Sequence, residues 1–353
     1  MRKIGFVIIA ASLYACNNTR QSSDVVAIDF DNVKTVDMND GEIIELEATD
    51  KSLLAYIDGF VIDDDKFFIR SRGEVFAFDR SGRHLFNVGT RGRAANEYTQ
   101  ADCIFMRGDS LAVFDWQARR MLFYDTDGGY LSNMTINGSE DEYPCRMIPL
   151  SSGGYIVENV FNGVPGIITP MFGRMNDDFG YEYSYSGFNR KDGYNQGCLL
   201  AGKENTLLYA DFFSDSVYRA APDSMEIALA YRIDFGKHKL PESLKQGKDT
   251  YELFQTSNTE EFTDNIATNV VCCNETADKF RFVFMFRKEV HYVEYDKKSG
   301  GVSTIMIEDP EGKLNTTTGL FTYYAEDGFY ISAKSDDIDS NPVLVKFGYD
   351  VFE

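Results

Sequence analysis

The sequence predicts an all-β fold, a six-bladed β-propeller whose blades are four-stranded antiparallel sheets. Between positions 66 and 131 one pattern is written twice: a short apolar strand, a polar turn, a second strand ending in an aromatic residue and Asp, and a Gly-containing turn before a third strand. The middle strands of the two copies end at Asp79 and Asp125. Their spacing of 46 residues is typical of four-stranded propeller blades.

The same unit can be followed along the whole chain. Its later copies have less regular turns, but each contains β-rich stretches separated by turn residues. The predicted blades one to six are the segments 54–88, 101–136, 144–186, 197–235, 266–308 and 319–347.

The last predicted blade lacks an outer strand, because the chain ends soon after its third one. A strand from the amino-terminal part of the chain can fill this position, and ring closure then leaves no long sheet edge exposed. Residues 42–47 are predicted to close the ring in this way. Residues 25–30 are expected to pack nearby or to pair there instead.

One segment between blades four and five breaks the strand rhythm. From position 241 to 257, Leu244, Tyr251 and Phe254 have roughly helical spacing and polar residues occupy the other face. This segment is predicted to be a short helical insertion.

Composition and charge limit the classes of protein to consider. Hydrophobic residues make up 43% of the 353 residues and charged residues 26%, which is typical of a globular chain. The formal net charge of −21 opposes binding to nucleic acid and to anionic membrane surfaces. Nucleic acid is therefore not an expected partner, and contact with a membrane is expected only through a lipid anchor.

The amino terminus has the pattern of an export signal. A basic start is followed by a twelve-residue apolar run, which is too short to span a bilayer. The run ends in Leu-Tyr-Ala-Cys16, which resembles a bacterial lipobox. Residues 1–15 are thus predicted to be a lipoprotein signal peptide, Cys16 a lipidated residue carrying a group such as palmitate, 16–24 a polar tether and 25–353 a single propeller domain. Ordinary signal cleavage remains an alternative.

The connection between blades one and two resembles that of a known family. Residues 89–98 read Gly-Thr-Arg-Gly-Arg-Ala-Ala-Asn-Glu-Tyr. The loop is similar to Gly-x-x-Gly-x-Gly-Pro-Gly-Glu-Tyr of the six-bladed β-propeller lipoproteins of Gram-negative anaerobes, whose blade pattern is NHL-like. The two glycines, Glu97 and Tyr98 match, whereas Ala-Ala-Asn replaces Gly-Pro-Gly. The resemblance implies a fold and an envelope location, and it transfers no catalytic residue.

Several cysteines recur in the predicted first strands of successive blades. They are Cys103, Cys145, Cys198, and Cys272 or Cys273. Because the first strand of a blade lines the propeller axis, these thiols are candidates for an axial binding site, a metal site or an inter-blade disulfide. The alternative is that they are small soft side chains packed where inner strands crowd together.

Carboxylates divide into two groups. Asp79, Asp125 and Asp296 precede glycine-containing turns and are predicted to cap the amides of those turns. Asp58, Glu97 and Asp102 lie near the predicted starts of first strands, and they are candidate binding residues at the axis or its rim.

Two functions are favoured at this stage over a third, a purely structural spacer in a larger surface assembly. The first is a non-catalytic lipoprotein, anchored in the outer membrane with its side undetermined, that binds an unknown protein, peptide or glycan without a cofactor. The second is a propeller enzyme with lactonase-like or lyase-like chemistry and an axial divalent metal. Its conceivable ligands would include Asn269 and Asn274 in addition to the carboxylates at 58, 97 and 102. No catalytic residue is predicted, because no nucleophile and base pair stands out.

Overall fold

The structure is a computed structural model. It describes residues 24–136, 144–150, 152–159, 169–170, 172–184, 189–190, 198–201, 207–210, 213–220, 227–248, 250–309, 312–314, 322–335 and 339–353. The predicted signal peptide, Cys16 and most of the tether therefore lie outside the described residues. None of the helices in these ranges is long and apolar enough to cross a bilayer.

Six small sheets form a six-bladed β-propeller, which confirms the predicted fold class. The amino-terminal strands are β1 (Asp24–Ala27), β2 (Lys34–Asp37) and β3 (Glu42–Glu45). Blade one contains β4 (Gly59–Asp63), β5 (Lys66–Ser71), β6 (Glu74–Asp79) and β7 (His84–Asn87). Blade two contains β8 (Cys103–Arg107), β9 (Ser110–Asp115), β10 (Arg120–Asp125) and β11 (Tyr130–Thr135).

Blades three and four follow the same order. Blade three contains β12 (Pro144–Pro149), β13 (Tyr155–Asn159), β15 (Phe172–Met175) and β16 (Tyr181–Ser184), and a separate two-stranded sheet pairs β14 (Thr169–Pro170) with β17 (Asn189–Arg190). Blade four contains β18 (Cys198–Ala201), β19 (Leu207–Ala210), β20 (Ser216–Ala220) and β21 (Ile227–Asp234).

Blades five and six complete the ring. Blade five contains β22 (Thr268–Glu275), β23 (Lys279–Phe286), β24 (Glu289–Asp296) and β25 (Val302–Glu308). Blade six contains β26 (Thr322–Tyr324), β27 (Phe329–Ala333) and β28 (Val343–Phe347), with β3 as its outer strand. Short 3-10 helices occupy Phe30–Asn32, Met38–Asp40, Gly236–His238 and Tyr349–Phe352.

The ring is closed by β3, as predicted. Ile43 lies opposite Val345 in the antiparallel pair of β3 and β28. The side chain of Asn341 then holds the connection to blade one: its amide donates to the carbonyls of Glu47 (2.9 Å) and Ser52 (2.8 Å). The last and first blades are therefore joined by strand pairing and by a buried side chain.

The predicted place of residues 25–30 is wrong. β1 does not join blade six. It pairs in parallel with β21, so it is a fifth strand on the outside of blade four. β2, which the sequence pattern did not reveal, pairs in parallel with β25 of blade five. Val26 and Val36 are the buried residues of these two short strands. Strands with a single buried valine carry too little pattern to identify their partner sheet.

Apolar side chains alternate along the strands and form six clusters, one between each pair of successive blades. The cluster between blades one and two includes Phe68 and Leu122. The closing cluster combines Ile44 of β3 with Phe67 of blade one and Leu344 of blade six. Because every blade buries both of its faces against neighbours, no blade has an apolar core of its own.

The turns between third and fourth strands repeat one capping geometry. The Oδ1 atom of Asp125 accepts hydrogen bonds from the amides of Asp127 (3.0 Å) and Gly129 (2.7 Å). Asp79 and Asp296 cap their turns in the same manner. The predicted role of these three carboxylates is confirmed, and Asn176 has the same role in blade three.

The predicted helical insertion between blades four and five is present. It consists of three short helices, α1 (Glu242–Lys245), α2 (Thr250–Ser257) and α3 (Glu260–Asn265), and so extends further than position 257. Leu253 and Phe262 pack with Phe213, which lies between the second and third strands of blade four. The helices thus cover this part of one propeller face.

In each blade, antiparallel order places two kinds of segment at the same end. These are the turn between the second and third strands, here called the second turn, and the connection from one blade to the next. We call the face formed by these segments the loop face.

Candidate functional site

The two predicted aspartates at the starts of first strands occupy equivalent positions on the loop face. Asp58 directly precedes β4, and Asp102 directly precedes β8. The carboxylate of Asp102 accepts a hydrogen bond from the amide of Trp116 in the second turn of its own blade (2.7 Å). In blade one, the amide of Arg72 interacts with Asp58 in the same way. Each carboxylate therefore ties the start of the first strand to the second turn.

Arg70 connects these two positions across the boundary between blades one and two. Its Nε atom lies 3.0 Å from Oδ1 of Asp58. Its terminal nitrogens donate to the carbonyls of Asp58 (2.6 Å) and Ala101 (3.3 Å). The structure thus brings Asp58 and Asp102 into one electrostatic group around a guanidinium that is 19% exposed.

Burial dominates the electrostatics of this group. It raises the pKa of Asp58 above the usual 3.8, although Arg70 and the Arg72 amide oppose the shift. Burial also raises the pKa of Asp102, where the Trp116 amide acts in the opposite direction and the charge of Asp115 adds to the rise. Carboxylates with raised pKa values are candidates for binding sites, but structural ion pairs shift pKa values in the same way.

Glu97, the third predicted carboxylate, does not join this group. One oxygen of its side chain accepts a hydrogen bond from the amide of Ala94 within the connecting loop (2.9 Å). A Cβ atom at Gly92 would lie 1.9 Å from the same carboxylate, so a larger residue there would displace the Glu97 side chain from this contact. Arg120 of blade two donates to the carbonyls of Glu97 (2.8 Å) and Ala94 (3.0 Å). The geometry of Glu97 is that of a connector.

Tyr98 holds the same connecting loop through its hydroxyl group. Its hydroxyl donates to the carbonyl of Val88 (2.9 Å) and accepts from the amide of Val75 (3.2 Å). The side chain is buried, and burial raises the pKa of Tyr98 to about 12. This loop is therefore held by buried hydrogen bonds, and it opens a strand instead of a helix.

The cysteines lie in first strands, as the sequence predicted. Cys103 is half-buried in β8, and its thiol lies 3.6 Å from the carbonyl oxygen of Met147 in blade three. Cys272 and Cys273 are buried in β22. Cys145 and Cys198 belong to β12 and β18, but their side chains lie outside the described residues. Their axial binding role stays a prediction.

Asn269 and Asn274 both belong to β22, the first strand of blade five, and are its partly exposed asparagines. The pairing of β22 with β23 shifts register on either side of Val271. Asn269 and Cys272 have positive φ angles of 61° and 50° at these irregularities. Over the described ranges, no three His, Cys, Asp or Glu side chains come close enough to hold a metal ion.

The sequence pattern missed a group of strained residues on the loop face. Eight non-glycine residues of the described chain have positive φ, a region that side chains with a Cβ atom seldom occupy. Five of these lie in second turns: Arg72, Arg119, Phe213, Arg287 and Lys288. A two-residue turn with positive φ at both positions usually contains Asn-Gly, so Arg287-Lys288 carried no turn signal.

Large apolar side chains are also exposed on this face. Leu53 (60% exposed) and Tyr56 (36%) lie in the connection from blade six to blade one, and Tyr251 (45%) lies on α2. Trp116, the single tryptophan of the chain, is half-buried in the second turn of blade two. Aromatic residues of this kind are enriched where proteins meet partners.

A pocket lies between blades four and five beneath the helical insertion. Phe213, Phe235 and Leu240 line it together with an ion pair, in which Nζ of Lys239 lies 2.7 Å from Oδ2 of Asp215. Burial alone would raise the pKa of Asp215, but Lys239 and the Ser216 hydroxyl lower it below 3.8. The pocket lies where the helical insertion packs on the body of the propeller.

Known proteins resemble this chain in fold. A putative exported protein from Bacteroides fragilis NCTC 9343 gives a TM-score of 0.66 at 16% identity, over 91% of this chain and 98% of that chain. A member of the duf4221 family from Bacteroides vulgatus ATCC 8482 gives 0.60 at 11% identity, over 87% and 96%. At such identities the similarity shows the fold alone. No curated protein matches the sequence.

The family can be assigned from the sequence itself. The sequence profile of a family described as a domain of unknown function, DUF4934, matches residues 29–345, which includes blades one to five and blade six up to the middle of β28. The chain belongs to the DUF4934 family.

Proposed function

We propose that this protein is a lipid-anchored propeller of the bacterial cell envelope that binds a partner protein through its loop face, without catalysis. One observation carries the proposal: the strained second turns and the exposed Leu53, Tyr56 and Tyr251 all belong to that face. Strained backbone persists where the surrounding structure enforces it, and it clusters at functional sites. Loops on a rigid scaffold are also where binding residues concentrate.

The proposed location rests on two kinds of support. The sequence around Cys16 has the pattern of a lipoprotein signal, with Asn17 after the cysteine. The protein from Bacteroides fragilis that shares the fold is described as a putative exported protein. We therefore propose that Cys16 carries the lipid and that the anchor is in the outer membrane.

Binding is proposed in preference to metal-dependent catalysis because of the contacts of the candidate carboxylates. Asp58 contacts Arg70, Asp102 accepts from Trp116, and Glu97 accepts from its own loop. These contacts hold connections and turns in place. The candidate binding site is therefore the surface that these turns and connections form.

Site-specific photocrosslinking in intact cells tests the binding surface. A photoreactive residue at Tyr56 on the loop face should give one discrete adduct. The same residue at Tyr130, which is similarly exposed on the outermost strand of blade two, serves as the control and should give none. Equal adducts at both positions, or none at Tyr56, would contradict the proposal.

A second experiment tests the anchor. The wild-type protein should incorporate a fatty-acid label and sediment with the outer membrane. Cys16→Ala should lose the label and appear in the soluble envelope fraction, because its single lipid attachment is gone. Retention of label in Cys16→Ala would assign the lipid to another residue.

A further inference from the structure

The strained second turns have one chemical property in common. Four of their five residues with positive φ are cations: Arg72 in blade one, Arg119 in blade two, and Arg287 and Lys288 in blade five. All four belong to the loop face, because they lie between second and third strands. Arg72, Arg287 and Lys288 are exposed, and Arg119 is half-buried.

The backbone conformation gives no reason for cations at these positions. Glycine or asparagine adopts positive φ at lower cost, and Asn-Gly is the preferred pair in two-residue turns of this kind. Arg72 is already followed by Gly73, whereas Arg287 and Lys288 use two unfavourable residues in succession. A side chain kept in an unfavourable backbone conformation points to a role for that side chain.

The four cations are also unneutralised in a strongly acidic protein. The chain has 56 acidic residues against 35 lysines and arginines, and many of its other cations form ion pairs, as Arg83 does with Asp79 and Lys298 with Asp278. None of the four turn cations forms an ion pair within the described parts of the chain. Their charges are therefore available to a ligand.

Two of the guanidinium groups are held over aromatic rings. Arg119 lies 5.6 Å from the ring of Trp116, and Arg287 lies 4.9 Å from the ring of Phe286. Arg287 also lies 3.5 Å from the carbonyl of Asp264 on α3. Stacking restrains a guanidinium in a plane, and a planar fork of donors matches the two oxygens of a carboxylate.

We propose that Arg72, Arg119, Arg287 and Lys288 form a carboxylate-binding surface that recognises an acidic segment of the partner protein. This inference rests on the proposed function and names the chemistry of the partner. Exposed Tyr56 and Tyr251 on the same face favour a protein as the occupant, since tyrosine and arginine are enriched in protein interfaces. At physiological salt, charges on the opposite face are screened beyond about 8 Å, so they oppose binding at the second turns only weakly.

Binding of a fluorescent ten-residue glutamate peptide, followed by anisotropy from low to physiological salt, tests the surface. The wild-type protein should bind this peptide more weakly as salt increases, and it should not bind a ten-residue glutamine peptide. The combined variant Arg72→Asn, Arg287→Asn, Lys288→Gly should lose about tenfold in affinity. Its melting temperature should be equal or higher, because the turns receive their preferred residues.

A matched control removes three positive charges elsewhere. Arg83, Arg232 and Lys298 are exposed and lie outside the second turns, so Arg83→Gln, Arg232→Gln, Lys298→Gln should keep the wild-type affinity. An equal loss of affinity in the control would show that the effect depends only on the net charge of the protein, and it would overturn the proposal. Absence of peptide binding by the wild-type protein would also overturn it.

Two further outcomes separate this inference from its alternatives. The protein could instead bind polygalacturonate more tightly than the glutamate peptide and lose this binding in the turn variant. That result would identify the ligand as an acidic polysaccharide and contradict the proposed protein segment. If the turn variant still gives the Tyr56 adduct in cells at the wild-type level, the proposed function stands and the carboxylate-binding role of the turns fails.

Discussion

The Nε atom of Arg70 lies 3.0 Å from the Oδ1 atom of Asp58, at the point where the first strands of blades one and two begin. The same guanidinium donates to carbonyls on both sides of that boundary, those of Asp58 and Ala101. It therefore fixes the relative position of two blades on the loop face.

Replacement of Arg70 should lower the free energy of unfolding, because its side chain is mostly buried against Asp58. Arg70→Met leaves the partly buried carboxylate of Asp58 without its cation, and we expect a loss of about 2–3 kcal/mol in the free energy of unfolding. Adding Asp58→Asn to Arg70→Met should recover part of this loss. Arg83→Met is the control, since Arg83 lies at the same 3.0 Å from Asp79 but its side chain is 70% exposed, and it should cost less than about 1 kcal/mol. Equal losses from both replacements in urea unfolding would contradict the clamping role.

Two neighbouring residues of β3 test how the ring is closed. Ile44 is 6% exposed within the closing cluster, whereas Ile43 is 46% exposed. We expect Ile44→Thr to lower the free energy of unfolding by about 2 kcal/mol, because it removes buried apolar volume and introduces a hydroxyl. Ile43→Thr should change it by about 0.5 kcal/mol or less. Similar effects of the two replacements on thermal unfolding would show that β3 does not seal the ring.

Tyr98 should contribute through its hydroxyl as well as its ring. Tyr98→Phe leaves the amide of Val75 and the carbonyl of Val88 without this partner, so we expect a loss of about 1–3 kcal/mol. Tyr130→Phe, at an exposed position, removes the same atom and should have a much smaller effect. Chemical denaturation of the two variants measures the difference, and a neutral Tyr98→Phe would mean that water or another group replaces the hydroxyl.

His291 should make stability depend on pH. It is 3% exposed and stacks on Phe284 at 4.8 Å, and burial lowers the pKa of His291 from 6.5 to about 4. The unfolded chain therefore binds this proton more readily. Its contribution is complete above pH 6.5 and is lost as pH falls towards 4, by up to about 3 kcal/mol.

His291→Leu should remove this part of the pH dependence between pH 6.5 and 4. His84→Gln, at a partly exposed position, should leave the dependence as in the wild-type protein. Urea unfolding at several pH values gives the comparison. An unchanged decline in His291→Leu would assign the acid sensitivity to other groups.

Some features of the candidate site could be predicted from the sequence and others could not. The start of a first strand is visible as a change in hydrophobic pattern, so the positions of Asp58 and Asp102 in their blades could be predicted. Their shared electrostatic interaction with Arg70 was not visible, because it joins residues of two different repeats. The second-turn cations were missed for a different reason: Arg287-Lys288 replaces the glycine and asparagine that normally mark such a turn.

The sequence by itself determined the blade repeat, the capped turns and the closing strand, because strand alternation and turn chemistry are local properties that each segment carries alone. The tertiary structure alone decided that β1 joins blade four and β2 blade five, and that cations from blades one, two and five share one face. The physical reason is that a short strand with one buried valine can pair with several sheet edges. Only the packing of the closed ring selects among those edges and brings turns from distant repeats to the same face.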